Sequence, residues 1–148
     1  MLKIKYPNTQ IFFDDSFENL SSYIQISDKE NVFYFIDKKV FEIYNDVFNS
    51  LKNIIVIDSN EKSKSIEYST SLINKLINLE ANKKSYFIAI GGGVVCDITG
   101  FLASIYMRGV RFAYIPTTVL SITDASLGGK NGVNFNGIKN LVGTINEP

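Results

Sequence analysis

Tyr86-Phe-Ile-Ala-Ile-Gly-Gly-Gly-Val-Val-Cys-Asp97 decides the fold. An apolar run of strand length meets three glycines, and a helical stretch from Val94 to Met107 follows and closes at Gly109. The run is continuous rather than alternating, as suits a strand buried on both faces of a parallel sheet. Glycines at such a junction let backbone approach a ligand, and the helix N-terminus offers free N–H groups to an anion such as a diphosphate. The same residues also suit a tight turn with Asp97 in the first helical turn. The spacing is not G-x-G-x-x-G and does not follow the first strand, so that fingerprint is only weakly met. Tyr86 to Met107 is long enough to span a bilayer. Its central glycines, and an Asp97 that would cost about 2.5–3.5 kcal/mol at bilayer depth, favour a strand, a turn and a half-buried helix.

Working outward, Val32-Phe-Tyr-Phe-Ile-Asp37 and Asn53-Ile-Ile-Val-Ile-Asp58 repeat the apolar form, and Arg111 to Ile115 is a fourth buried strand. Lys38 to Leu51 reads as a helix with Val40, Ile43, Tyr44, Val47, Phe48 and Leu51 on one stripe. Ser65 to Leu79 reads as another, with Ile66, Ile73, Leu76 and Ile77 inward. Pro116 is placed to open a short helix. Strands alternating with helices predict a Rossmann-like, doubly wound α/β domain with a mostly parallel sheet flanked by helices. Ligands bind such sheets beyond the carboxyl ends of the strands. Asp37, Asp58, Gly91 to Gly93 and Pro116-Thr117-Thr118 all fall there. Met1 to Pro7 reads as a strand rather than a leader, Gln10 to Phe13 as a further edge strand, and Gly132 to Phe135 as a strand-like run in a Gly/Asn-rich segment.

At 148 residues the chain suits one domain, 1–148, with no repeat or linker. It is 45% hydrophobic and 20% charged, and its 15 basic and 15 acidic residues cancel, which argues against nucleic acid or anionic membrane as partner. A single cysteine, Cys96, fits a reducing cytoplasm and reads as a small buried hydrophobe. With no histidine, the chain itself offers neither imidazole catalysis nor an imidazole metal ligand.

Several polar residues invite two readings. Asp37 could accept from ribose hydroxyls if its strand adjoins the glycine strand, or be a solvated loop acid before Lys38 and Lys39. Thr117, Ser121 and Asp124 at i, i+4 and i+7 would share one helix face; otherwise Thr117 is only a cap and Asp124 a surface charge. Gly128-Gly129-Lys130 could bring an ammonium to a phosphate or carboxylate, with Lys139-Asn140 close behind, or be a flexible loop. Arg108 at a helix end complements the dipole.

Read in order, Gly91 to Asp97 with Thr99-Gly100-Phe101, Tyr106-Met-Arg-Gly-Val110, Pro116-Thr-Thr118 to Asp124, Gly128-Gly-Lys130, Gly132-Val-Asn134 and Lys139-Asn140 resemble the sugar-phosphate cyclases, most closely the 3-dehydroquinate synthase family. The match runs from Ile88 to Pro148, with a weaker one at Glu61 to Ser65. The resemblance implies a phosphate-eliminating lyase of the shikimate pathway that converts a phosphorylated seven-carbon sugar acid to 3-dehydroquinate, with NAD accepting and returning a hydride. It also implies a divalent metal, zinc or cobalt, held by a following helical domain, so this chain alone should be inactive. It assigns Asp37, Glu61, Lys64, Gly92, Gly93, Asp97, Thr117, Thr118, Asp124, Lys130 and Lys139 to the cofactor. Lys130, Asn140 and Asp124 are implied at the reacting centre, and Arg108 in a neighbouring subunit's phosphate pocket, hence a homodimer. Cys96, Lys39 and Gly137-Ile138 depart from the family's usual residues. Rival readings are another sugar-phosphate cyclase, an NAD-dependent alcohol dehydrogenase of the glycerol dehydrogenase type, and a non-enzymatic nucleotide-binding module.

Overall fold

A computed structural model describes residues 2–5, 9–13, 20–23 and 31–148. Strands β1 (Leu2–Lys5) and β2 (Gln10–Phe13) pair as an antiparallel ribbon, so the expected edge strand joins a small sheet of its own. Met1, Tyr6 and Pro7 of the expected first strand lie outside the described residues. A single helical turn, α1 (Leu20–Tyr23), follows.

Four parallel strands form the central sheet. They are β3 (Val32–Asp37), β4 (Ile54–Ile57), β5 (Tyr86–Gly91) and β6 (Arg111–Pro116), in the order β4-β3-β5-β6. The chain moves outward from β3 to β4, then crosses back to β5 and on to β6. Its direction therefore reverses between β3 and β5, and the crevice at their carboxyl ends is the switch point where such sheets take ligands. The continuous apolar runs are explained by cover on both faces. Phe33, Phe35, Ile55, Ile57, Phe87, Ala89 and Phe112 pack with Leu72, Leu76, Ile98 and Leu102 on one side. Val32, Ile36, Ile88 and Ile90 meet Phe48 on the other, with Val40 and Phe41 against them.

The helix expected over Lys38 to Leu51 is two pieces, α2 (Lys38–Ile43) and α3 (Asn45–Phe48). Tyr44 leaves helical geometry at φ −112° and ψ 29° and serves as both the C-cap of α2 and the N-cap of α3. The break resets the period, so Phe48 is buried while Ile43, Tyr44 and Val47 face out. In α4 (Ile66–Asn78), capped by Ser65, the buried stripe is Ser69, Leu72 and Leu76, and Ile77 is exposed. Helix α5 (Gly93–Ile105) is almost wholly buried and ends in a 3-10 turn at Tyr106–Arg108.

Pro116 is the last residue of β6 rather than the first of a helix. Helical geometry starts after Thr118, whose hydroxyl accepts from Ser121 N–H (3.2 Å) while Ser121 Oγ accepts from Thr118 N–H (3.2 Å). This reciprocal cap leads into a π-turn, Ser121–Ala125, in which Ser126 N–H reaches back to Ser121 O. Beyond it, β7 (Lys130–Phe135) and β8 (Ile138–Ile145) form a hairpin lying against α5. The sequence reading reached β7 but not β8. The missed signal is Asn136-Gly137, both at positive φ (49° and 77°), which makes the type I′ turn that two-residue hairpins prefer.

Gly100 allows the hairpin to seat on α5. A Cβ there would lie 1.9 Å from Tyr114 Oη and 2.2 Å from Asn131 Oδ1. Asn131 is buried, accepting from the Tyr114 hydroxyl and donating to Gly129 O (3.0 Å) and Asn146 O (2.9 Å).

Candidate functional site

The glycine turn stands at the switch point, between the ends of β3 and β5. Gly92 is the N-cap of α5 and offers no side-chain cap, so the first-turn N–H groups, which have no intrahelical acceptor, face the crevice. Gly91 packs tightly, since a Cβ there would lie 2.8 Å from Val95 Cγ2 and 3.1 Å from Asp37 Cβ. A Cβ on Gly92 would stop 3.4 Å from Thr118 Cγ2, so the Thr118 methyl faces this turn across the β5–β6 pairing.

Asp97 lies one turn deeper in α5 than its expected place in the first turn. Its carboxylate forms an ion pair with Lys64, and the two side chains are only 19% and 8% exposed. Lys64 is carried by the segment between a 3-10 turn, Glu61–Ser63, and α4. Burial pushes the Asp97 carboxyl above its ordinary range; Lys64 pulls it back, and Asp124 and Glu61 raise it. Four of the expected site residues therefore share one electrostatic neighbourhood, although they are far apart in sequence.

The hairpin supplies most of the lining of a cleft that also takes in Asp97. This cleft of about 520 Å³ is lined by Asp97, Asp124, Lys130, Asn131, Asn140 and Thr144, among others. Thr144 Oγ1 is a buried atom with no hydrogen-bond partner among the described residues. Lys130 Nζ is 3.8 Å from Asp124 Oδ1, both side chains being largely solvent-exposed, so the pair contributes little to stability and leaves the ammonium available. Asn131, Asn134 and Thr144 were not among the expected site residues. Asn134 N–H donates to Lys64 O (2.8 Å), and its side-chain amide to Glu61 Oε1 (3.0 Å).

Other expected residues lie differently. Asp37 is not a solvated loop acid: it is 8% exposed and caps α2 by accepting from Lys39 N–H (2.8 Å) and Val40 N–H (3.2 Å), with the Ser59 hydroxyl on its other oxygen. Thr117, Ser121 and Asp124 do not share a face. Thr117 precedes the helix and donates its N–H to Gly91 O (2.9 Å), Ser121 is fully buried, and the π-turn breaks the 3.6-residue period. Arg108 sits just before β6 begins, at the sheet edge opposite the glycine turn. Met107, Arg108 and Gly109 all have positive φ (46°, 65° and 101°), and Lys83 Nζ bonds the carbonyls of Met107 and Gly109. Lys139 is exposed on β8 and does not line the cleft.

The domain is a Rossmann-like sheet with a glycine turn at its switch point, an ion-paired carboxylate beside it and a lysine-bearing hairpin, and solved sugar-phosphate cyclases superpose on it. A 2-deoxy-scyllo-inosose synthase structure, complexed with carbaglucose-6-phosphate, NAD+ and Co2+, superposes with a TM-score of 0.80 at 25% identity, over 99% of this chain and 43% of that one. The chain belongs to the 3-dehydroquinate synthase family, whose N-terminal model matches residues 54–148. It is 46% identical over 113 residues to the 3-dehydroquinate synthase of Picrophilus torridus, spanning 76% of this chain and 33% of the relative. With that of Clostridium tetani it shares 40% over 147 residues, 94% of this chain and 39% of the relative. The chain thus spans well under half the length of these curated relatives.

Proposed function

We propose that the chain is the N-terminal, NAD-binding part of a 3-dehydroquinate synthase, a lyase that eliminates phosphate from a phosphorylated seven-carbon sugar acid. The observation that carries this reading is the Lys64–Asp97 ion pair, whose Asp97 lines the same cleft as Lys130 and Asn140. NAD fits the residues present. The uncapped N-terminus of α5 and the missing Cβ of Gly92 leave a cradle for a diphosphate. Asp37 Oδ2, held only by the Ser59 hydroxyl among the described residues, is the oxygen left to accept from a ribose. Thr117 and Thr118 close the same rim.

Bound there, the cofactor would supply reversible hydride acceptance. The chain's own residues orient and neutralise. Asp97, fixed by Lys64, is an anion whose charge is compensated within the wall of the cleft. Lys130 and Asn140, which line the cleft, bring a cationic and an amide group toward the substrate's anionic end, where positive charge favours phosphate departure. The divalent metal implied by the family resemblance does not fit this chain: it has no histidine, and no metal-holding group of three His, Cys, Asp or Glu occurs among the described residues.

Val119, Leu120, Ile122, Leu141 and Ile145 are exposed near the cleft, and the relatives are longer. Both support a further part of the enzyme packing there and supplying the metal ligands. Arg108, on its strained turn away from the cleft, supports the homodimer reading, in which it would serve a partner's phosphate site. The balanced charge and the lone buried Cys96 support a cytoplasmic enzyme. Calorimetric titration of the 148-residue chain with NAD tests the cofactor site. Gly92→Ala should fold normally, because φ of −81° suits any residue and the new methyl meets Thr118 at ordinary contact distance. It should nevertheless lose most of its NAD affinity by filling the cradle. A folded wild-type chain that binds no NAD, or a Gly92→Ala chain that binds it equally well, would refute the assignment.

A further inference from the structure

Lys139 and Asn140 ride on an irregularity of the hairpin. Val133 pairs with Val142 and Phe135 with Ile138, so Asn134 alone stands opposite Lys139, Asn140 and Leu141. A regular ladder sets one residue against one; three against one forces β8 to bulge and re-aims its side chains. Asn140 takes up the distortion at φ 52°. Its backbone N–H, displaced from the ladder, donates instead to Asn134 Oδ1 (2.9 Å).

Asn134 is engaged on its other side as well. Its Nδ2 donates to Glu61 Oε1 (3.0 Å), its own N–H donates to Lys64 O (2.8 Å), and it bridges in parallel to Ser65. The two side-chain partners demand the same amide orientation, since an N–H needs the oxygen and a carboxylate needs the nitrogen. An aspartate would set a second anion against Glu61, and an alanine would serve neither partner.

We propose that Asn134 is a positioning residue for the cleft. Through these bonds it locks Asn140, which lines the cleft, to the Glu61–Lys64 turn, whose Lys64 holds the Asp97 side chain that also lines it, so that the two side chains hold a fixed separation around the ligand. The ligand arm of the test rests on the NAD reading above; the geometric arm does not.

The test uses amide hydrogen exchange by NMR on the 148-residue chain, with NAD titrations beside it. In Asn134→Ala, exchange at the Asn140 amide should rise roughly three- to tenfold, the range expected for one net hydrogen bond. The Val133 and Val142 amides should not change. Asn134→Asp keeps an acceptor and should keep Asn140 protected, which also decides the matter if the alanine variant fails to fold. NAD affinity should fall severalfold in both variants. In a Glu61→Gln background Asn134→Asp should cost far less, because glutamine then donates to the new carboxylate. Unchanged Asn140 exchange in Asn134→Ala would overturn the proposal. So would equal loss of protection along the whole hairpin, loss at Asn140 in Asn134→Asp, or full NAD affinity in Asn134→Ala. If the wild-type chain binds no NAD, the cofactor reading fails while the exchange data still decide the role of Asn134.

Discussion

Lys64→Met removes the ammonium beside Asp97 and keeps most of the side-chain volume. The remaining carboxylate is largely buried and faces Glu61 and Asp124, both of which already push its protonation upward. Breaking a buried pair by deleting one member costs about 3–5 kcal/mol. The cleft admits some water, since the Asp97 side chain is 19% exposed, so we take the lower end, about 3 kcal/mol at neutral pH. For a chain of this size that lowers the melting midpoint by roughly 6–12 °C.

The pH dependence has a definite sign. The folded-state pKa of Asp97 is already raised, and it rises further once Lys64 is gone. A raised pKa means the folded state holds the proton more tightly, so the stability it contributes is complete below the ordinary aspartate value of 3.8 and is lost as pH climbs through the folded value. The variant should therefore be closer to wild type near about pH 5 than near about pH 8. Thermal and urea unfolding at both pH values would measure this. Lys64→Met combined with Asp97→Leu should recover most of the loss, because two apolar side chains leave no unpaired charge. A single variant within about 0.5 kcal/mol of wild type at the higher pH, or one hurt more at the lower pH, would refute the reasoning.

Gly100→Ala should destabilise by about 3 kcal/mol, because its methyl overlaps the Tyr114 hydroxyl and Asn131 at once; unfolding by urea that matches wild type would show that the hairpin does not seat on α5 as described. Cys96 is fully buried, and burial with the neighbouring Asp97 pushes its thiol up to about 12. The folded chain should therefore resist iodoacetamide near about pH 8 and react only when unfolded, which mass spectrometry would follow; rapid labelling of the native chain would contradict that placement.

The parallel sheet and the residues at its carboxyl edge were legible in the sequence, because a strand buried on both faces must be apolar at every position and the glycines of residues 91–93 punctuate the junction. Periodicity worked where one helix face meets the core, as at Leu76, and failed over Lys38 to Leu51, where a local break at Tyr44 resets the phase without changing composition. Asp37 was correctly placed at a strand end, but whether its carboxylate met water or a helix N-terminus depended on the turn that follows. The ion pair of Lys64 with Asp97, and the clasp of Asn134 on Glu61 and Asn140, were set only by the tertiary structure. Their partners come together because α4, α5 and the hairpin pack around one edge of the sheet, and contacts between distant segments leave no period or spacing in the chain.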